Sequence, residues 1–486
     1  MQTYVRSFDS TWSNLIHKQD RFPLQEYRER SILTTWKISY EQVLRQSEAA
    51  AWLLRLWAFF YYDDLWYGLL SPVLTATSKG PMWLVQLAED ELEFSDAIGL
   101  LVSYSLVYSR GTGSYGMHPV LHRWSRSMSS GAEAAALNLI SIYSLGSAVL
   151  SEDDNEYWIL DRRLLQHVLH ALYEMRMSQM LAKQERPGWV LNRLGDLLRR
   201  QVKLDDAEQM YQQALASKEK ELGTDHMLTL STVNDLGNLY SDQGKLDRAE
   251  QMYQRALAGF EKALGFDHMS TLDSVNNLGL LYRDQGKPDE AEQMYQRALA
   301  GFEKVLGPDH KSTLVTVFNL GLLYGGQGKL DKAEQMCQRA LAGFEEALGS
   351  DHILTLKAVE HLSGLYANKG KLDEAEQMYR RVLAGYGKAF GPNHKSTLSI
   401  MNDLGLLYRC QGRLDEAEQM YQRALSCCES IYESSHKTVT ALSDEIASIR
   451  VARSEFPYHG RGVSTNRPEQ LLALSYCPTT DLCLMS

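Results

Sequence analysis

Past Trp189 the sequence contains no tryptophan, although nine stand up to that point, so its 486 residues fall into two compositionally distinct parts. The six cysteines (Cys337, Cys410, Cys427, Cys428, Cys477, Cys483) form no C-x-x-C pair and no disulfide framework, and read as reduced intracellular thiols. No block of five or six like charges occurs, and the net charge is -11, so the chain lacks the electrostatic footprint of a nucleic-acid or anionic-lipid binder. Its longest apolar stretches, Ala49 to Tyr62 and Ala134 to Leu150, are interrupted by Arg55 and Asn138. Both fall short of the roughly 18 to 20 residues that a membrane span needs. Met1 to Asn14 has no signal-peptide apolar run, and a cytoplasmic protein without stable membrane insertion is expected. A G-x-x-x-x-G-K-[ST] phosphate loop is missing, since Gly328-Lys329 lacks the leading glycine and the hydroxyl residue. Neither H-E-x-x-H nor G-x-S-x-G is present, and Ser114 has no glycine two places before it. The expectation is no enzyme, no cofactor, no metal and no nucleotide.

What the chain has is repetition. Between Pro187 and Thr438 a 42-residue unit recurs six times without insertion or deletion, the units beginning near residues 187, 229, 271, 313, 355 and 397. Ala207, Ala249, Ala291, Ala333, Ala375 and Ala417 fall in register, as do His226, His268, His310, His352, His394 and His436. Such a period predicts a solenoid. In the third unit Leu272, Val275, Leu278 and Tyr282 mark one face of a helix that ends at Gln285-Gly286-Lys287-Pro288. A second helix is expected to start with Asp289 as its N-cap, to run through Ala291, Tyr295 and Ala298, and to stop near Gly307-Pro308. Gly279 and Ala291 or Ala298 are small where paired helices must approach to roughly 8 to 10 Å.

The pattern Leu278-Gly279 with Tyr282, then Ala291, Tyr295 and Ala298, resembles the tetratricopeptide repeat. The longer unit, with Leu-Gly-x-Asp-His between units and Asn276 to Tyr282 within them, is similar to the variant of kinesin light chains. The resemblance implies an all-α superhelix of six helix pairs that binds a protein or peptide segment on its concave side. Its groove-facing positions would be Asn192, Asn234, Asn276, Phe318, Glu360 and Asn402, with a second row of Asp196, Asn238, Leu280, Leu322, Gly364 and Leu406. An asparagine amide donates and accepts at once and can hold a peptide backbone of any sequence. The alternative is that these are solvated positions. Phe318 and Glu360 interrupt the ladder and would set apolar and basic preferences.

Before the repeats, apolar spacing predicts helices over Val5 to Lys18 and Leu24 to Gln46. Ser47 caps the next one, whose Trp52, Leu53, Leu56, Trp57 and Phe60 must be buried. Further helices are expected over Pro81 to Leu92 and Asp96 to Val102. Tyr104 to Ser109 and Tyr115 to His118 read as two strands around Gly111 to Ser114, and Ala134 to Leu150 and Asp161 to Lys183 as two more helices. Ser31 to Trp36, Ala50 to Trp57 and Tyr115 to Trp124 resemble the helical and winged-helix segment that follows the nucleotide-binding (NB-ARC) module of NOD-like signalling ATPases. In that family the histidine of a Met-His-Asp motif holds the β-phosphate of ADP. Here Met117-His118-Pro119 lacks the acidic residue, so His118 is read as a structural histidine.

The repeated histidines lie too far apart for the roughly 2 Å bonds of a zinc site. Instead, they and their neighbouring aspartates are expected to cap free helix ends. His167, His170 and Glu174 share one helix face, without an accompanying metal motif. The expected organisation is a helical and winged-helix region over 1–130, a helical bridge over 131–186 and six repeats over 187–438. A capping helix over 439–453 and a flexible tail over 454–486 follow. The tail ends Cys483-Leu484-Met485-Ser486, a C-a-a-X pattern that makes Cys483 a candidate farnesylation site. Together these features predict a protein-interaction scaffold, part of a NOD-like signalling protein. The alternative is a kinesin light chain-like cargo adaptor, which needs a heptad coiled coil where this chain has Trp-rich globular helices.

Overall fold

The computed structural model describes residues 29–70, 81–129, 131–151, 154, 157–177, 186–429 and 437–455. They form two compact bodies, one from Met1–Ser144 with His170–Lys183, the other from Leu145–Leu169 with Gln184–Ser486. No helix among the described residues is long and apolar enough to cross a membrane.

The first body contains α1 (Glu29–Gln46), α2 (Glu48–Trp57), α3 (Met82–Glu89), α4 (Glu91–Ser103) and α5 (Pro119–Ser127), and shares α6 (Gly131–Ala148) and α7 (Tyr157–Met177) with the second. Ser47 caps α2 as expected, its Oγ accepting from the Ala50 amide at 3.1 Å. Leu53, Leu56, Trp57 and Phe60 are buried, and Trp52 stacks on Trp83. The break between α3 and α4 falls at Asp90 rather than after Leu92, because the Asp90 carboxylate accepts from the Leu92 amide and starts a new helix. Strands β1 (Tyr108–Gly111) and β2 (Ser114–Gly116) pair antiparallel, with Tyr108 opposite Gly116. The first strand begins later than Tyr104, which still bonds back into α4 while Leu106 and Val107 turn into the core. The predicted helix over Val5 to Lys18 and the tail with Cys483 lie outside the described residues.

In the second body twelve helices alternate in pairs. Repeat 1 is α8 (Gly188–Arg200) and α9 (Leu204–Leu222), and repeat 2 is α10 (Met227–Asp242) and α11 (Leu246–Leu264). Repeat 3 is α12 (Met269–Asp284) and α13 (Pro288–Leu306), and repeat 4 is α14 (Lys311–Gly326) and α15 (Leu330–Leu348). Repeat 5 is α16 (Ile353–Asn368) and α17 (Leu372–Ala389), and repeat 6 is α18 (Lys395–Cys410) and α19 (Leu414–Glu429). Within a pair, glycine makes room for an aromatic ring: a Cβ on Gly279 would stand 2.7 Å from Tyr295. The second helix does not start at an Asp289 cap. Pro288 takes its first position, where a missing N–H costs nothing, and the preceding Lys287 supplies no side-chain cap.

Each repeat joins the next by one short device. Gly223, Gly265, Gly307 and Gly349 end the second helices at φ of 87 to 93°, a left-handed conformation that glycine adopts without strain. The histidine three residues on caps the following helix, and from His226 to His394 each Nδ1 accepts an amide N–H at 3.2 Å. The neighbouring aspartates do not cap. Asp225, Asp267 and Asp351 instead pair with Lys262, Lys304 and Lys388, which come within reach on the next second helix. After repeat 6, α20 (Lys437–Glu455) lays Val439, Leu442, Ile446 and Ile449 on the last apolar face.

Candidate protein-binding groove

From repeat 1 to repeat 5 the first helices of successive repeats contact one another directly, and the second helices do so less. A stack whose first helices stand closer curves with those helices inside, so they line the concave surface. Asn192, Asn234, Asn276, Phe318, Glu360 and Asn402 occupy one row along them, with much of their bonding directed to the next repeat. Asn192 Oδ1 accepts from Thr232 at 2.7 Å and from Lys218 at 3.2 Å, while its Nδ2 donates to Asp235. Asn234 Oδ1 accepts from Ser274 and Asn277, and Asn276 Oδ1 from Thr316 and Asn319. For Asn192, Asn234 and Asn276 the partners on the next repeat stand 40 and 43 positions later, Asn192 donating to the second of its two.

Where the ladder is interrupted, the receiving positions change with it. Opposite Phe318 stand Ala358, in the same apolar cluster, and His361, whose ring meets the Phe318 ring edge-on at 6.0 Å. Opposite Glu360 stand Ile400 and Asp403, and Glu360 instead accepts from Tyr386 at 2.7 Å. Reading the ladder alone misses this pairing, which comparison of positions 40 and 43 apart exposes in the sequence.

The neighbouring row, Asp196, Asn238, Leu280, Leu322, Gly364 and Leu406, is half-buried. Asp196 and Asn238 accept from Tyr211 and Tyr253 at 2.6 and 2.8 Å. Leucine at 280 and 406 can accept nothing, and the buried hydroxyls of Tyr295 and Tyr421 have no hydrogen-bond partner. The two ends of this surface are acidic. Burial, reinforced by Asp235, pushes Asp196 up to about 7, and burial with Glu360 beside it does the same to Asp403. Burial also raises Glu360, and it lowers His361 to about 4 with help from Arg283.

The remaining candidates are placed as follows. His118 caps α5, its Nδ1 accepting from the Val120 amide at 3.3 Å, and its ring lies beside Trp36. Glu174 pairs with Arg126 at 2.7 Å and His170 packs against His122, while His167 is buried in the second body. Missed in the sequence was the glutamate after each repeat's invariant-register alanine. Glu208 and Glu250 accept from Gln243 and Gln285, and Glu376 from Tyr408 and Arg413, all on following repeats, so these glutamates are ties between repeats.

Comparison with known families decides what these pairs are. The family described as tetratricopeptide repeat matches residues 187–262, 270–346, 316–386 and 357–430, and a second family of that description matches 234–304, which together cover half of the sequence. The chain belongs to the tetratricopeptide repeat family. Proteins of this family typically act as protein-interaction scaffolds. No curated protein matches the sequence. Among solved structures, this tetratricopeptide repeat protein is similar to a putative kinesin light chain of Podosopora anserina with nearly identical repeats: 23% identity over 43% of this chain and 99% of that one, TM-score 0.36. It is also similar to a signal transduction ATPase of Pyrococcus horikoshii with a tetratricopeptide repeat sensor: 15% identity, 85% of this chain and 61% of that one, TM-score 0.43. A third similar structure is a Rap protein complexed with Competence and Sporulation Factor: 12% identity, 75% of this chain and 94% of that one, TM-score 0.43.

Proposed function

We propose that the six repeats form an adaptor that holds a protein segment along the concave surface, and that the segment is apolar in its centre and basic toward its ends. The observation that carries this is the pair of half-buried leucines Leu280 and Leu322, in the repeats between the desolvated carboxylates Asp196 and Asp403. Among the described residues neither Asp403 nor Glu360 forms an ion pair, Lys357 acting on Glu360 only through its field, and a lysine or arginine from a partner would supply the charge that burial makes costly to leave unpaired. The Asn234 and Asn276 amide N–H groups add donors for a bound backbone, their oxygens being engaged between repeats. Asn192, Phe318 and Asn402 lie in the same row. The NOD-like reading of the first body is supported by a two-stranded hairpin leading into α5 through His118, and the absent acidic residue at Pro119 keeps the proposal to a scaffold rather than a nucleotide switch.

Selection from a random-peptide display library tests the groove. Wild-type protein should enrich sequences with an apolar centre flanked by Lys or Arg. Leu280→Glu combined with Leu322→Glu should abolish their binding while the far-UV circular dichroism stays the same. Equal binding by both proteins would remove the inner leucines from the interface.

A further inference from the structure

The connecting loops of the repeats form an edge of their own, and at repeat 5 that edge is covered by the first turns of α7. Trp158 is buried with Ile353 and Ala389, and its ring meets His352 edge-on at 5.8 Å. Four residues on, and so on the same helix face, Arg162 donates to the Ala389 carbonyl at 3.2 Å. That carbonyl belongs to the last turn of α17, where the helix provides no donor of its own. Between them Asp161, fully buried, is held by both arms of Arg200 at 2.6 and 3.0 Å. The covered seat thus consists of a cap histidine, the first residue of a first helix and the last residue of its partner helix.

The 42-residue register puts the same three positions in other repeats. Repeat 4 carries Lys311 where repeat 5 has Ile353, which makes an apolar seat there unfavourable. Repeat 3 carries His268, Met269 and Val305, with Met269 and Val305 40% and 47% exposed and Phe266 beside them 66% exposed. In repeat 5 the equivalent Ile353 and Ala389 are 3% and 2% exposed. The chemistry that covers the seat where it is covered identifies what fits it where it is open.

We infer that the His268–Met269–Val305 seat of repeat 3 is a second docking site, separate from the concave groove. It takes a tryptophan from the first turn of an amphipathic helix of a partner protein. An arginine four residues later in that helix reaches the Val305 carbonyl, as Arg162 reaches that of Ala389. A second copy of the chain does not supply the helix, since its own Trp158 is already seated in its repeat 5.

The test uses the full chain and a synthetic peptide with the sequence Tyr157–Leu169, held helical by a side-chain lactam away from Trp158 and Arg162. Isotope-labelled methionine methyl groups report the site. The Met269 resonance should shift to saturation, and Val305→Glu in the full chain should weaken binding about tenfold or more. A peptide with Trp158→Ala should leave Met269 unmoved. Three results would each overturn the inference: a silent Met269, which includes the case where the peptide merely exchanges with α7 at repeat 5; equal affinity for the Val305→Glu chain; or an equal shift with the tryptophan-free peptide. Circular dichroism of the Val305→Glu chain controls for its fold, which an exposed position should preserve.

Discussion

Replacing Gly279 by serine should loosen repeat 3, whereas in a chain that already carries Leu280→Gly the same replacement should cost little. The basis is an experiment the chain has already made on itself. Five repeats carry glycine at this position, and a Cβ added to Gly195, Gly237, Gly279 or Gly405 would come within 2.6 to 2.8 Å of the facing tyrosine ring. Repeat 5 instead carries Ser363-Gly364. Ser363 is fully buried, and Tyr379 is 7% exposed against 0 to 3% for Tyr211, Tyr253, Tyr295 and Tyr421. Glycine at 364 leaves that ring room to move outward. Gly279→Ser alone forces an overpacked contact and should cost about 1 to 3 kcal/mol. Leu280→Gly alone should cost about 2 kcal/mol, from helix propensity and a partly lost leucine. If the two residues act as a pair, the double variant loses little beyond Leu280→Gly. Repeat arrays open locally, so the measurement is hydrogen exchange across α12 and α13 in all four proteins, with mass-spectrometric readout. Additivity within about 0.5 kcal/mol would refute the pairing.

Three further outcomes follow from the same geometry. Asp403 has a folded-state value of about 7 against an ordinary 3.8, so between those values the unfolded chain holds fewer protons and stability falls as pH rises; Asp403→Asn should remove that fall and stabilise the repeats at neutral pH by up to about 4 kcal/mol, checked by urea melts across that range. A thiol reagent at neutral pH should label exposed Cys410 in the native protein, while Cys337, buried and pushed up to about 12, should react only after denaturant is added, as mass mapping would reveal. Asn276→Ala should cost about 1 to 3 kcal/mol, because Thr316 and Asn319 lose a buried acceptor; unchanged exchange in α12 and α14 would show that contact to be idle.

The repeats were legible in the sequence because identical spacing leaves one register only, and the histidines and small residues recur where helix ends and close approaches demand them. Asp289 misled because an aspartate beside a proline looks like a cap, whereas the proline itself begins the helix. The asparagine row was legible as a row but not in its bonding, since a side chain on a curved array faces the groove and the next repeat together. The meeting of Trp158 with Ile353 was not legible at all. Those residues stand far apart in the sequence, and no local period encodes their contact.

The staples between repeats decide which tandem rearrangements this chain could survive. Near-identical units invite unequal recombination, which removes one unit and joins its neighbours. Loss of repeat 3 would set Asn234 against Thr316 and Asn319, a match for its present partners Ser274 and Asn277. Loss of repeat 4 would set Asn276 against Ala358 and His361, leaving its oxygen facing the methyl group that Phe318 now covers. Repeat number is therefore free to drift near the start of the array and held near its end, so that lineages descended from this sequence should differ in length on one side only.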